Sequence, residues 1–300
     1  MRVFVTGATG WIGSAVVPEL IGAGHEVVGL ARSDASAAAL AAVGAEAHRG
    51  SLDDLDSLRV AAGASDGVIH TAFKHDIAFS GDFQGASDAD LRTVETLGAA
   101  LEGSGKPLVV TSGTSLIAPG RLGTEEDEPE VGPRVASENA AVALAGRGVR
   151  SSVVRPSPSV HGKGDRGFVP ILIGIAREKG VSAYVGDGTN RWPAVHRLDA
   201  ARLYRLALEQ APAGSRLHAV AEEGVAVRDI ARAIGRRLGL PVTSISRGEA
   251  GEHFGFLAGL LEADVPASSA LTRERVGWQP TQPGLVDDLG EGHYFQKARA

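Results

Sequence analysis

Short valine-rich apolar runs alternate with longer stretches of helical periodicity through the first half of the chain. The runs RVFVTG from Arg2, EVVGLAR from Glu26, AEAHRG from Ala45, GVIHTAF from Gly67, PLVVTSG from Pro107 and RSSVVRP from Arg150 read as strands. Between them the pattern predicts helices from about Trp11 to Gly24, from Ser36 to Val43, across LDDLDSLRVAAG from Leu52, from Ser87 to Gly103, and across GPRVASENAAVALA from Gly132. Strands this apolar, separated by helices, indicate a parallel sheet covered on both faces with right-handed crossovers. After Pro156 the rhythm breaks, and glycine and proline crowd PSPSVHGKGDRGFVP and YVGDGTNRWPAVH. A helix is predicted from Asp199 to Gln210, then a strand RLHAVA from Arg216, a helix VRDIARAIGRRLG from Val227, and two short helices joined by a turn in the tail from Ala270. The predicted fold class is α/β, a doubly wound parallel sheet over residues 1–160 with a smaller lobe over residues 161–300. Segments near 190–222 are expected to thread back into the sheet.

Composition narrows the function. The 300 residues carry a net charge of −6, which argues against a general nucleic-acid binder, since that would show a basic face. There is no cysteine, which excludes disulfides, thiolate metal sites and a cysteine nucleophile. The opening MRVFVTGATG has no long apolar run of the signal-peptide kind, and no segment approaches the roughly 18 apolar residues of a membrane span. The expectation is a cytoplasmic protein with no membrane partner. The nine histidines lack tight ligand spacing, so no metal is expected.

The stretch TGATGWIG sets Gly7, Gly10 and Gly13 three apart between a strand and a helix. A tight turn there needs glycine, and a diphosphate can sit on the positive end of the following helix. Thr9, Trp11 and Ile12 complete the loop. At the end of the second strand stand Arg32 and Ser33, where an acidic residue would favour NAD. An arginine fork suits a 2′-phosphate, so NADP (NADPH) is the expected cofactor.

These pieces resemble the short-chain dehydrogenase/reductase superfamily, in its extended and atypical epimerase/dehydratase-like branches. TGATGWIG is similar to the family's TGxxGxxG loop, and GSLDD at Gly50 to its adenine-contacting segment, with Ser51 in place of the usual aspartate and Leu52 beside it. VIHTAF at Val68 resembles the segment behind the nicotinamide ribose, which implies cofactor contacts from Thr71, Ala72 and Phe73. VVTSGTS at Val109 resembles the strand that brings Thr111 and the active-site Ser112. RPSPSVHG at Arg155 is similar to the R-P-x-x-x-Y-G turn, implying contacts from Pro156 and Ser157 and placing His161 where tyrosine is common. PAVHRLDAARL at Pro193 carries Asp199 at the family's aspartate position. The resemblance implies a Rossmann-type fold with a substrate-binding C-terminal lobe, and a possible homodimer.

In that superfamily a tyrosine and a lysine four residues apart carry the proton chemistry. Here Arg134 stands in the tyrosine slot and Glu138 in the lysine slot, and none of the three tyrosines has a lysine four residues on. Arginine keeps its proton and is a poor acid. Arg134 is thus a candidate to hold an anionic substrate or polarise an oxygen, while Glu138 is a base, a ribose anchor or simply an ion-pair partner for Arg134. The catalytic candidates are Ser112, His75, Lys74, His161 and Arg134, with histidine the natural replacement proton donor. Trp192, His196 and Phe168 are candidate substrate contacts. The expected function is an NADPH-dependent oxidoreductase acting on a small carbonyl- or imine-type substrate. The alternatives are an NADP-binding redox-sensing regulator without turnover, and a nucleotide-sugar epimerase or dehydratase.

Overall fold

The computed structural model describes residues 1–115 and 117–296, and the side chain of Phe79 lies outside that set. Its strands are β1 (Arg2–Thr6), β2 (Glu26–Ala31), β3 (Glu46–Arg49), β4 (Gly67–His70), β5 (Pro107–Thr111), β6 (Arg150–Pro156), β7 (Ser159–His161), β8 (Ser182–Val185), β9 (Arg191–His196), β10 (Ser215–Ala219), β11 (Glu222–Ala226) and β12 (Val242–Ile245). The helices are α1 (Gly13–Gly22), α2 (Asp34–Ala42), α3 (Leu55–Gly63), α4 (His75–Phe79), α5 (Phe83–Leu101), α6 (Val135–Ala143), α7 (Phe168–Lys179), α8 (Arg197–Gln210), α9 (Val227–Leu238), α10 (Arg247–Phe254), α11 (Ala258–Glu262), α12 (Ala270–Val276) and α13 (Leu285–Gly290).

Seven strands form one sheet in the order β10-β6-β5-β4-β1-β2-β3, and every neighbouring pair is parallel. The alternation of side chains along β1 explains its uninterrupted apolar run. Val3 and Val5 join a core on one face with Val16 and Leu20 of α1, Leu203 and Leu208 of α8, and Trp278. Phe4 points the other way, into a core with Leu58 of α3, Val94 and Leu97 of α5, and Ala141 of α6. Both faces are buried, as a parallel sheet requires.

β10 pairs with β6 from Ser215↔Ser152 to Ala219↔Pro156, and α8 packs on α1, so chain beyond residue 196 completes the main sheet and its cover. β9 lies instead in a three-stranded sheet of order β11-β9-β7, and β8 pairs with β12. A third apolar cluster, with Val169, Leu172, Ile173, Trp192, Ile230, Ile234 and Leu289, holds the smaller lobe together.

Three local readings change. α1 begins at Gly13, two residues after the predicted start, because the glycine loop occupies Trp11 and Ile12. α5 begins at Phe83, where the carboxylate of Asp82 accepts the Gly85 amide at 2.8 Å and caps the first turn. α7 was hidden behind the glycine-rich stretch, yet Val169, Leu172, Ile173 and Ala176 follow helical spacing on its buried side, and Gly180 ends it at φ +69°.

Candidate active site

The C-terminal ends of β1, β4, β5 and β6 form one edge of the sheet, where ligands of such sheets lie. At its centre Gly7 adopts φ +67°, and a Cβ there would come within 2.7 Å of the Ala72 amide nitrogen. A Cβ at Gly13 would lie 2.1 Å from the Gly7 carbonyl oxygen. The Gly10 amide donates to that same oxygen at 2.8 Å. Two of the three glycines are therefore sterically required. Ile12 forms the N-cap of α1 without a side-chain cap, and the Ser14 and Ala15 amides donate to Gly10 O and Ile12 O, both at 2.9 Å, so the helix end offers chiefly its positive polarity. Thr9 and Gly10 are exposed there, and Trp11 and Ile12 half-buried. Backbone, space and electrostatics all fit a dinucleotide diphosphate.

The walls of this cradle follow. Thr71 donates its hydroxyl to Thr6 O at 2.8 Å, fixing the turn that leads to Ala72 and Phe73. Arg32 is exposed, with no side-chain partner among the described residues. Ser33 caps α2 by accepting the Ser36 amide at 3.1 Å. Asp34, the acid nearest Arg32 in sequence, pairs with Arg49 at 3.0 Å. Ser51 accepts the Asp53 amide at 3.2 Å, and Leu52 packs on the core beneath.

Arg134 and Glu138 do not pair with each other; each belongs to a separate buried polar network. In the first, Thr6 Oγ1 lies 2.6 Å from His70 Nδ1, His70 Nε2 lies 3.1 Å from Asp90, and Arg134 donates to Asp90 at 2.8 and 3.2 Å. Arg134 also donates to Ala72 O at 3.2 Å and stacks over Phe73 at 4.9 Å. Burial opposes ionisation of Asp90, but the Arg134 charge and the bond from His70 carry its carboxyl far below the usual range. Arg134 thus clamps the Ala72–Phe73 segment, with only 13% of its side chain exposed. In the second network Glu138 is fully buried, and the guanidinium of Arg155, equally buried, grips it with two hydrogen bonds. Arg216 adds a third at 2.9 Å. Burial again opposes ionisation, yet the bonds from Arg155, the Ser112 hydroxyl and Arg216 hold the Glu138 carboxyl below its ordinary value. Arg155 further contacts His218 Nε2 at 3.2 Å, while His218 Nδ1 lies 2.7 Å from Ser268 O and so donates to it. Burial pushes the His218 pKa down to about 4. The two motif slots belong to different networks because α6 starts only at Val135: Arg134 hangs from its first turn toward α5, and Glu138 faces the sheet.

Other candidates are redistributed. Ser112 is half-buried at the end of β5, its amide donating to Val154 O at 2.9 Å. Beneath it the Thr111 hydroxyl lies 2.8 Å from that of Tyr204, which is fully buried, and burial pushes the Tyr204 phenol upward. His75 opens α4 at the rim, its ring edge-on to Phe73 at 5.0 Å. The surrounding protein and the Arg134 charge lower its pKa. Lys74 does not point at the substrate side; it forms an ion pair with Asp53 near the adenine segment. His161 does not face the cleft either. It is buried with Nδ1 2.8 Å from Asp288, and its ring lies edge-on to His196 at 5.3 Å. His196 caps α8 through Leu198 N at 3.2 Å, and burial lowers its pKa. Trp192 is a core residue, wholly buried with its indole N–H on Leu260 O at 3.1 Å, and Phe168 packs against it at 6.1 Å. Pro156 ends β6, and Ser157 donates to Ala219 O at 2.9 Å. Asp90 was missed by sequence reasoning, although it shares the buried side of α5 with Ala86, Thr93 and Leu97. Asp288 was missed too; with Glu291 and His293 it brings ligand-type atoms within 4.8 Å of one another. Among the described residues no helix is long and apolar enough to cross a membrane.

Comparison with known proteins supports the same architecture. The chain is 51% identical over 299 residues to an uncharacterized protein of Schizosaccharomyces pombe, covering 98% of this chain and 100% of that one. It is 28% identical over 225 residues to the 4-hydroxy-2-methyl-3-oxo-4-farnesyl-3,4-dihydroquinoline-1-oxide ketoreductase of Stigmatella aurantiaca, covering 71% of this chain and 66% of the relative. The crystal structure of the dTDP-glucose 4,6-dehydratase DesIV of Streptomyces venezuelae, with NAD bound, superposes with a TM-score of 0.77 at 20% identity, covering 98% of this chain and 96% of that one, a likeness of fold. Residues 3–220 match the model of one family, and with the glycine cradle and the seven-stranded sheet this places the chain in the NAD dependent epimerase/dehydratase family.

Proposed function

We propose that the chain is an NADPH-dependent oxidoreductase acting on a small carbonyl- or imine-type substrate. The observation that carries this is the glycine cradle joined to an exposed Arg32 that has no side-chain partner among the described residues, while Asp34 pairs with Arg49 at 3.0 Å. NADPH, when bound, supplies the hydride. The residues fitted to hold it are the glycine loop at the positive end of α1, Arg32 at the 2′-phosphate, and the wall from Thr71 to Phe73 that Arg134 braces. The ketoreductase named among the relatives supports reduction of a keto group or its nitrogen analogue.

Ser112 stands half-buried at the end of β5, where its hydroxyl can accept from a substrate O–H or N–H or donate to a substrate oxygen. A carbonyl oxygen needs a proton donor, and His75 at the rim is the candidate: burial and the Arg134 charge lower its pKa, so the imidazole is neutral at neutral pH. Arg134 contributes a fixed positive charge nearby, which favours negative charge growing on a substrate oxygen.

A second reading is favoured by one observation. Both slots of the missing tyrosine and lysine have become structural, as they would in an NADP-binding redox sensor. The test serves both. Purified protein is mixed with NADPH and a panel of ketones, aldehydes and imines, and absorbance at the reduced nicotinamide band is followed. Turnover that falls roughly a hundredfold in Ser112→Ala and in His75→Ala supports the oxidoreductase. Tight NADPH binding with no consumption across the panel sinks it in favour of the sensor.

A further inference from the structure

Arg197 opens α8 and lies over Trp11, its guanidinium carbon 4.3 Å from the ring centroid. Trp11 is itself part of the glycine loop, anchored by its indole N–H to Val160 O at 2.8 Å. The turn after β7 packs in around the pair, and a Cβ at Gly162 would sit 3.6 Å from that of Arg197. Arg197 is half-buried, and among the described residues no acceptor or carboxylate pairs with it. Asp165 is the acid in its field, but that carboxylate already accepts the Tyr294 hydroxyl at 2.9 Å and the Gly167 amide at 2.7 Å.

This is a costly place for a cation. A guanidinium taken partly out of water without a counter-ion loses hydration that stacking on one ring only partly returns. It also stands at the positive end of α8, where helix polarity favours anions. Such a residue is explained by an anion that arrives with a ligand. The anion site adjoining Trp11 is the positive end of α1.

We propose that Arg197 is a cationic ligand of the dinucleotide diphosphate, held over the glycine loop by its stack on Trp11. The proposal rests on the cofactor reading above. It divides the cofactor between two arginines: Arg32 at the adenosine end, Arg197 at the diphosphate.

Calorimetric titration of the full chain with NADP+, NAD+ and adenosine 2′-monophosphate tests this, because the last ligand has no 5′-phosphate. Arg197→Met is expected to weaken NADP+ and NAD+ by about tenfold to a hundredfold and to leave adenosine 2′-monophosphate unchanged. Arg197→Lys should recover part of the loss by restoring the charge. Arg32→Ala should show the complementary pattern, weakening NADP+ and adenosine 2′-monophosphate together. Wild-type dinucleotide affinity in Arg197→Met overturns the role of Arg197 and leaves the cofactor reading standing. Equal weakening of all three ligands overturns it too. A wild-type chain that binds neither dinucleotide overturns the cofactor reading and this one with it.

Discussion

Replacing Glu138 by glutamine tests whether the lysine slot of the family motif has become a structural support. Glu138 and Arg155 are both 0% exposed, and two hydrogen bonds join them. Glutamine keeps the shape and removes the charge. Arg155 is then left fully buried with only neutral acceptors: the glutamine oxygen, Asp127 O at 2.8 Å and His218 Nε2 at 3.2 Å. Arg216 is better placed, because Glu128 still lies 3.1 Å away. The cost is therefore that of one stranded buried cation, about 3–5 kcal/mol. At roughly 2 °C per kcal/mol for a chain of this size, Tm should fall by about 6–10 °C. Urea and thermal denaturation followed by circular dichroism measure both quantities. Glu138→Met combined with Arg155→Met removes both charges and should regain most of the loss. The pH dependence has a definite sign. The folded carboxyl has a depressed pKa, so its contribution is complete above the ordinary carboxylate value of about 4.3 and disappears as pH falls through the folded value. Stability of Glu138→Gln should accordingly vary less with pH in acid than that of the wild type. A glutamine variant within about 1 kcal/mol of wild type would refute the reasoning.

Three further outcomes are expected. The folded pKa of His218 is about 4 against about 6.5 unfolded, so stability is full above pH ~6.5 and declines by roughly 3 kcal/mol as pH drops toward 4; urea midpoints in His218→Gln should be flatter across that window, and an unchanged slope contradicts this. Gly13→Ala places a methyl group 2.1 Å from the Gly7 carbonyl, which forces the loop open; calorimetry should find NADP+ binding abolished, and native affinity would show that the loop is not the cofactor cradle. Trp192→Ala should destabilise by about 3–5 kcal/mol because it empties the core of the smaller lobe; a raised KM at native stability would instead restore Trp192 to the pocket wall.

The doubly wound sheet was legible because its strands are buried on both sides and therefore apolar without interruption, as Val3, Phe4 and Val5 show. The glycine loop was legible for a local reason: a positive φ at Gly7 and contacts no Cβ survives at Gly13 leave a mark in the residues themselves. The site chemistry was not legible to the same degree. Arg134 and Glu138 sit at i,i+4 spacing, which in sequence resembles any helical ion pair. Their actual partners, Asp90 and Arg155, are 44 and 17 residues away, brought near by α5 and β6. The aromatic residues misled for the opposite reason. Trp192 lies in a glycine-rich stretch that reads as a pocket lip, but its alternation on β9 turns it into the lobe's core.

Trp278 seals the main core from far along the chain, fully buried beside α8 with its indole N–H on Asp199 O at 2.9 Å. The Asp199 carboxylate in turn accepts the amides of Thr281 and Gln282 at 2.9 and 3.0 Å. For a chain emerging from the ribosome, this order matters. When β6 has been synthesised, six of the seven strands of the main sheet exist, yet β10, α8 and the tryptophan that cover one face are still to come. The part of that apolar face not covered by α1 stays open until α8 has been made, and its seal is complete only once Trp278 has followed. The interval is one in which a holding chaperone has a surface to bind and neighbouring nascent chains have one to stick to.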